Sequence, residues 1–479
     1  MMTDSPTTRY TSASCTDDTA ASYPERSLTT INDLPDEMLM EIAKHLHSQK
    51  DFYNLCLVKQ FRRVATELLY HTCGSPANLA KLLRTVLQHP DLATRIRDLE
   101  LTYERNMQAQ VTVAVEESEL FIRHFKAIGL RPMRQVRWID ALKNVETLSG
   151  FIRAALLVHA PNLISMAFYA RTIWLGRDFT KPPESVDLDN FWKMMLHPTI
   201  TALGSLPSPN FHNLRKIFIN DKPIHVSRIA PLFYLKSLRE LYARDIHEES
   251  SPENTSWNPK TFPSGLSGIT SLVFDLCNFH PRVLRLLLSA CKALEKFRCL
   301  DSCPNESWDI GPIGSALQKF RKDLRVLSIY QSQLNERSSE MAMLGSLADF
   351  ERLELLDINF ALFFFSGTGV PEFSNLLPSS IKQIRLFNVR RIPFFEQVVS
   401  QDGLVSDFVR NSNTVLPNLN NISVGLVWYD NWEGGDLNDD GSARYEMEPA
   451  IEKELEIRGI KFEAYLEEDA FYLVDIRTL

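Results

Sequence analysis

The sequence predicts an α/β chain: a small three-helix unit near the amino terminus, then an irregular solenoid with parallel strands on its concave face and helices on its convex face. Three observations carry this reading. Residues 34–70 place apolar side chains at helical steps of three and four. A short string, apolar-x-x-apolar-x-apolar, returns eight times between residues 213 and 424. Between the strings lie stretches patterned as helices, such as Pro281 to Ser289.

Composition sets the bounds. A chain of 479 residues is long enough for two or three average domains, or for one small module and an extended array. With 44% hydrophobic and 23% charged residues, most of it should fold around a sizeable core. A net charge of −8, with no basic cluster of five or more residues, argues against a nucleic-acid binder. No run approaches the roughly eighteen apolar residues of a membrane helix, and the amino terminus lacks an apolar signal core. Seven cysteines without regular pairing suit a reducing compartment. The expectation is a soluble protein of the cytoplasm and/or nucleus that binds neither nucleic acid nor membrane.

The elements follow in order. Residues 1–27 are rich in Thr, Ser and Asp and poor in large apolar side chains, so they should be disordered. Residues 28–74 form the helical unit. Pro35 opens its first helix, where a missing N–H costs nothing, and Asp36 and Glu37 suit the positive end of the helix dipole. Leu39, Ile42 and Leu46 make one helical face. Asp51 opens a second helix carrying Leu55 and Val58, and Phe61, Ala65 and Leu68 mark a third. A unit of about forty residues is near the lower limit for folding alone, and its apolar content exceeds what it can hide.

This segment resembles the F-box. Leu34-Pro35, Glu37, Leu39, Ile42, Leu46, Asp51, Leu55, Val58-Lys59, Phe61-Arg62 and Leu69-Tyr70 fall at that family's spacing. The resemblance implies a module that docks the Skp adaptor of a cullin–RING ubiquitin ligase. The adaptor-binding residues it implies are Leu34, Pro35, Glu37, Leu39, Ile42, Leu46, Leu55, Val58, Lys59 and Phe61. The chain is similar in organisation to the divergent F-box proteins of filamentous fungi.

Residues 75–466 are the solenoid. Its strings are NLRKIFI at 213, SLRELYA at 237, GITSLVF at 268, ALEKFRC at 293, DLRVLSI at 323, RLELLDI at 352, SIKQIRL at 380 and NLNNISV at 418. Successive first apolar positions are separated by 24, 31, 25, 30, 29, 28 and 38 residues. Looser copies sit at Ile96-Leu99-Leu101 and Leu163-Met166-Phe168. A strand and a helix cannot bury their apolar faces alone; stacked copies can. The pattern resembles leucine-rich repeats. The family's Asn or Cys after the strand appears clearly only as Cys277, so the turns should vary, with polar insertions at 177–186 and 247–267. Ten to twelve units are expected. Pro449 begins a helix that Gly459 ends, strand-like alternation follows to Leu466, and residues 467–479 form the acidic end of a cap.

Catalytic signals are poor. The chain lacks a Gly-rich phosphate loop, His-Glu-x-x-His, Gly-x-Ser-x-Gly and Cys-x-x-Cys. Asp436-x-Asn438-x-Asp440-Gly441 starts like a calcium loop, but Met447 stands where a bidentate carboxylate belongs. Cys291, Cys299 and Cys303 occupy positions of small apolar residues. No cofactor, metal or enzymatic activity is expected. In each string the residue between the last two apolar positions should project from the concave sheet: Phe218, Tyr242, Val273, Arg298, Ser328, Asp357, Arg385 and Ser423. With neighbours Lys216, Arg244, Lys296 and Tyr330 they offer aromatics and cations to a partner. The target-binding candidates are Phe218, Tyr242, Arg244, Lys296, Arg298, Tyr330 and Arg385, and an arginine cluster there would suit a phosphorylated ligand.

The resulting expectation is a substrate-recognition subunit of an SCF-type ubiquitin ligase, with the repeats holding an unidentified target protein. The alternative is an F-box scaffold that binds the adaptor and a partner without ubiquitin transfer.

Overall fold

The computed structural model describes residues 31–46, 48–73, 79–103, 115–127, 139–140, 152–153, 155–170, 211–247, 264–278, 280–300, 310–330, 344–359, 373–390, 404–411, 414–427 and 449–466. The amino-terminal tail, the calcium-loop near miss, Cys303, the 177–186 insertion, nearly all of the 247–267 insertion and residues 467–479 lie outside these. The chain falls into two compact units, Met1–Leu69 and Tyr70–Leu479.

The first unit contains helices α1 (Asp36–Lys44) and α2 (Gln49–Leu57) and most of α3 (Arg62–His71). Pro35 stands at the N-cap of α1, with Asp36 and Glu37 in the first turn. The second helix starts two residues before Asp51. Ser48 caps it by accepting a hydrogen bond from the Asp51 backbone N–H (3.1 Å), while its own hydroxyl donates to Asp51 Oδ2 (2.5 Å). This reciprocal cap is why the helix begins at Gln49. Leu39, Ala43, Phe61, Val64 and Ala65 form the interior, with Leu34, Met40, Leu55, Cys56 and Leu68 packed against it.

The second unit is built on one sheet of twelve strands lying in sequence order: β1 (Thr72–Cys73), β2 (Asp98–Tyr103), β3 (Ser165–Ala170), β4 (Lys216–His225), β5 (Glu240–His247), β6 (Ser271–Asp275), β7 (Lys296–Leu300), β8 (Val326–Tyr330), β9 (Leu355–Asn359), β10 (Gln383–Arg390), β11 (Asn421–Val427) and β12 (Lys461–Leu466). Every pairing is parallel. The eight strings are strands β4 to β11, and the two looser copies are β2 and β3. The sheet begins earlier than the sequence division at residue 74 implies, because Thr72 and Cys73 pair with Asp98 and Leu99.

The three apolar positions of each string all face inward. Leu214, Ile217 and Ile219, and their counterparts through Leu419, Ile422 and Val424, are buried in one cluster that runs from Cys73 to Ile460. The helices supply the other half of that core. Between β1 and β2 lie α4 (Leu79–Gln88) and the short α5 (Pro90–Ala93), between β2 and β3 lies α6 (Val115–Ala127), and α7 (Val226–Ile229) follows β4. Helix α8 (Pro281–Ala290) has proline in its first turn and the His280 ring accepting from Arg282 N–H (3.2 Å). It buries Val283, Leu284, Leu287 and Leu288, the i, i+4 stripe of an amphipathic helix. Helix α9 (Gly311–Leu317) packs on α8, and α10 (Leu404–Asn411) packs on α11 (Pro449–Arg458). Gly459, at φ 66°, ends α11 in the left-handed conformation that glycine favours.

Two non-glycine residues, Asp245 (φ 60°) and Leu276 (φ 49°), take the same left-handed turn one step past the Arg244–Asp275 register pair. Cys277 follows, and its buried thiol donates to the carbonyl of Ala243 in the preceding strand (3.3 Å). Among the described residues, no helix is long and apolar enough to cross a membrane.

Candidate functional site

Two surfaces stand out, one in each unit. On the helical unit, α1 carries two adjacent i, i+4 apolar pairs. Leu39 and Ala43 turn inward, while Met38 and Ile42 face solvent. On and just after α2, Tyr53, Leu57 and Val58 are also exposed, as is Ile31 before α1. These six are 44–65% exposed and make up most of the ten large apolar residues left open among the described residues. A single exposed apolar side chain is ordinary, but a concentration of this kind marks a contact surface.

The sequence-derived docking residues divide accordingly. Pro35, Glu37, Ile42, Val58 and Lys59 are exposed, and Leu34, Leu46 and Leu55 are half-buried. Leu39 and Phe61 are 1% and 6% exposed and form the centre of the helical core. Met38, Tyr53 and Leu57 also belong to this exposed apolar surface, though the F-box spacing does not include them. The signal for them is the second i, i+4 spacing, Met38–Ile42 and Tyr53–Leu57, alongside the stripe already assigned to the core.

On the second unit, the sheet has a face that does not carry the apolar strings. Phe218, Tyr242, Val273, Arg298, Ser328, Asp357, Arg385 and Ser423 stand side by side across β4 to β11, each the register partner of the next. One end of this row is aromatic. Phe218 and Tyr242 stack with centroids 4.3 Å apart and planes 7° from parallel. The Tyr242 hydroxyl donates to Asp275 Oδ2 (2.7 Å), and Arg244 Nε lies 3.5 Å from the same oxygen. Burial, reinforced by the Asp275 charge, pushes the tyrosine hydroxyl well above its usual pKa, so it stays a donor. Arg244 is thereby committed to Asp275. Lys216 pairs with Glu240 at 2.9 Å.

The middle of the row is charged. Asp357 is buried at the centre and accepts from the Ser328 hydroxyl through Oδ2 (2.7 Å), with Arg385 Nε 3.8 Å from Oδ1. Burial raises the Asp357 pKa, and Arg385, Ser328, Arg298 and Lys296 oppose that rise. The Gln383 side-chain oxygen, turned toward the guanidinium, accepts from Arg385 Nε (2.8 Å) and Nη2 (3.0 Å). Lys296, two residues before Arg298 and on the same face, is pushed down to about 8 by burial and by the Arg298 charge. Tyr330 and Phe387 meet edge-to-face at 5.2 Å beside this group. Of the seven target-binding candidates, Lys296, Arg298 and Arg385 converge around Asp357; Phe218, Tyr242 and Arg244 belong to the Asp275 group.

Among the described residues, this face brings together hydrogen-bond donors, aromatic rings and charged groups. The described cysteines other than Cys56 are buried, and burial pushes Cys73 up to about 11 and Cys291 up to about 12. Among the described residues, no group of three or more His, Cys, Asp or Glu side chains is placed to hold a metal ion. Comparison of the sequence with protein-family models and with curated proteins finds no match to either.

Proposed function

We propose that this protein is a substrate receptor of an SCF-type cullin–RING ubiquitin ligase. The helical unit docks the Skp adaptor, and the polar face of an irregular leucine-rich-repeat-like solenoid holds a target protein. The observation that carries the reading is the coincidence of F-box spacing with six open apolar side chains on a unit whose buried interior, among the described residues, is five side chains. Further support comes from one strand per repeat in sequence order, and from the Cys277 thiol bridging to the neighbouring repeat at the position where leucine-rich repeats carry Asn or Cys. In such a receptor no bond chemistry is done by this chain. It acts by proximity, raising the target's effective concentration at the ubiquitin-charged enzyme.

The test is co-purification of the full chain with the Skp adaptor and cullin. Leu34→Ala with Pro35→Ala should abolish adaptor capture while the sheet unit stays folded. Wild-type recovery by that variant would sink the docking assignment. Capture of adaptor without cullin favours the scaffold role instead.

A further inference from the structure

We propose that the sheet face over β7 to β10 binds one oxyanion of a partner peptide, a carboxylate or a phosphate, between Lys296, Arg298 and Arg385. This rests on the reading of that face as the partner-binding surface and adds the chemistry it selects.

Charge count is the first argument. Lys296, Arg298 and Arg385 all act on one buried carboxylate, Asp357, and the other carboxylate that acts on Lys296, Glu240, is paired with Lys216, so the cluster keeps an excess of positive charge in a partly desolvated place. The donor inventory is the second. Each guanidinium has five N–H donors. Among the described residues, Arg298 Nε is shielded from water with no hydrogen-bond partner. Arg385 spends Nε and Nη2 on Gln383, which fixes the plane of its fork and leaves Nη1 for a ligand. Asp357 and Ser328 occupy the register positions between the two arginines. Both side chains are buried, at 1% and 5% exposure, so an anion would meet the cations that flank them rather than this floor. Asp357 then acts as a buried counter-charge that draws Arg298 and Arg385 inward rather than as the group that satisfies them.

The neighbours favour a discrete anion on a peptide over a polyanion. Asp275 and Glu240 share the face and would repel an extended phosphate backbone, whereas the Tyr330–Phe387 and Phe218–Tyr242 pairs give apolar shoulders to side chains flanking one acidic group. Lys296 adds a pH handle, since its ammonium is held near neutrality by burial and by Arg298.

The experiment is calorimetric titration of the full chain, at low salt and pH 7, with inorganic phosphate and separately with glutarate. Saturable binding of at least one is expected. Arg298→Gln and Arg385→Gln should each weaken it about tenfold or more, because charge-assisted donors are lost. Arg325→Gln, an exposed arginine paired with Glu354 (3.1 Å), should leave it unchanged. Tighter phosphate identifies a phosphorylated partner residue, and equal or tighter glutarate identifies an acidic side chain or chain terminus. No saturable binding of either probe, or wild-type affinity in both arginine variants, overturns the inference. Should Arg298→Gln fail to fold by circular dichroism, Lys296→Gln and Arg385→Gln decide, with a loss expected in both. The same preparations are tested for adaptor capture: capture without anion binding removes this inference alone, and anion binding without capture removes only the ligase reading.

Discussion

Removing the open apolar side chains of the helical unit should weaken adaptor binding without unfolding it, and the size of the loss follows from exposure. Full burial of a Leu or Ile is worth roughly 1.5–3 kcal/mol relative to water. Ile42 and Leu57 are 44% and 65% exposed in the free chain, so only those fractions remain to be gained at an interface. For Ile42→Ala with Leu57→Ala the loss is about 1.5–3 kcal/mol, which raises Kd by about tenfold to two-hundredfold. Neither residue belongs to the helical interior, so the unit's stability should change by no more than about 0.5 kcal/mol each. Leu39→Ala is the contrasting perturbation: it empties the centre of that interior at a cost of about 2–5 kcal/mol and should abolish binding by unfolding the unit. Surface-plasmon titration against purified adaptor, with urea melts of each variant, separates the two. Unchanged affinity in the double variant, or a melt as damaged as that of Leu39→Ala, would refute the division into interior and docking stripes.

Gly314→Ala, ordinarily stabilising within a helix, should instead destabilise the sheet unit by about 1–3 kcal/mol, since its new Cβ would stand 1.9 Å from the Leu344 carbonyl oxygen; the urea midpoint reads this out. Phe297→Ala, at a fully buried position of β7, should cost about 3–5 kcal/mol in the same assay. Lys296 is held at about 8 against an ordinary 10.5, so between these pH values the unfolded chain binds the extra proton and folded stability should rise with pH. That rise should vanish in Lys296→Met, measured as the difference between the two chains' denaturation curves. Among the five described cysteines, half-buried Cys56 should alkylate before Cys73, Cys277, Cys291 and Cys299, as peptide mapping by mass spectrometry will show.

The sheet was legible because period-two alternation and a fixed apolar string leave few alternatives. Leu238, Leu241 and Ala243 specify a strand as surely as Leu353, Leu356 and Ile358 do, and both are found where the pattern puts them. The outer row was legible for the same reason, since a strand's odd and even residues must part company. What a single string does not contain is the reach of a side chain across strands. Arg244 and Arg298 are both outward-facing arginines, two register positions apart, yet Asp275 claims the first and Asp357 attracts the second. The helical unit was harder because α1 is apolar on two adjacent stripes, Leu39–Ala43 and Met38–Ile42, and periodicity alone does not say which one turns inward. That choice is made by Phe61, Val64 and Ala65, eighteen or more residues away in the chain.

Strands laid down in chain order, each hydrogen-bonded only to its predecessor and successor, have an unequal tolerance for change. Duplicating one whole repeat between β8 and β9 would preserve every buried contact type, because the newcomer meets the same surfaces its neighbours met. It would also carry Arg298 away from Asp357 and Arg385 by one strand spacing, about 4.8 Å. Strand number is thus nearly neutral for the sheet, while under the proposed reading it decides which side chains converge on a ligand.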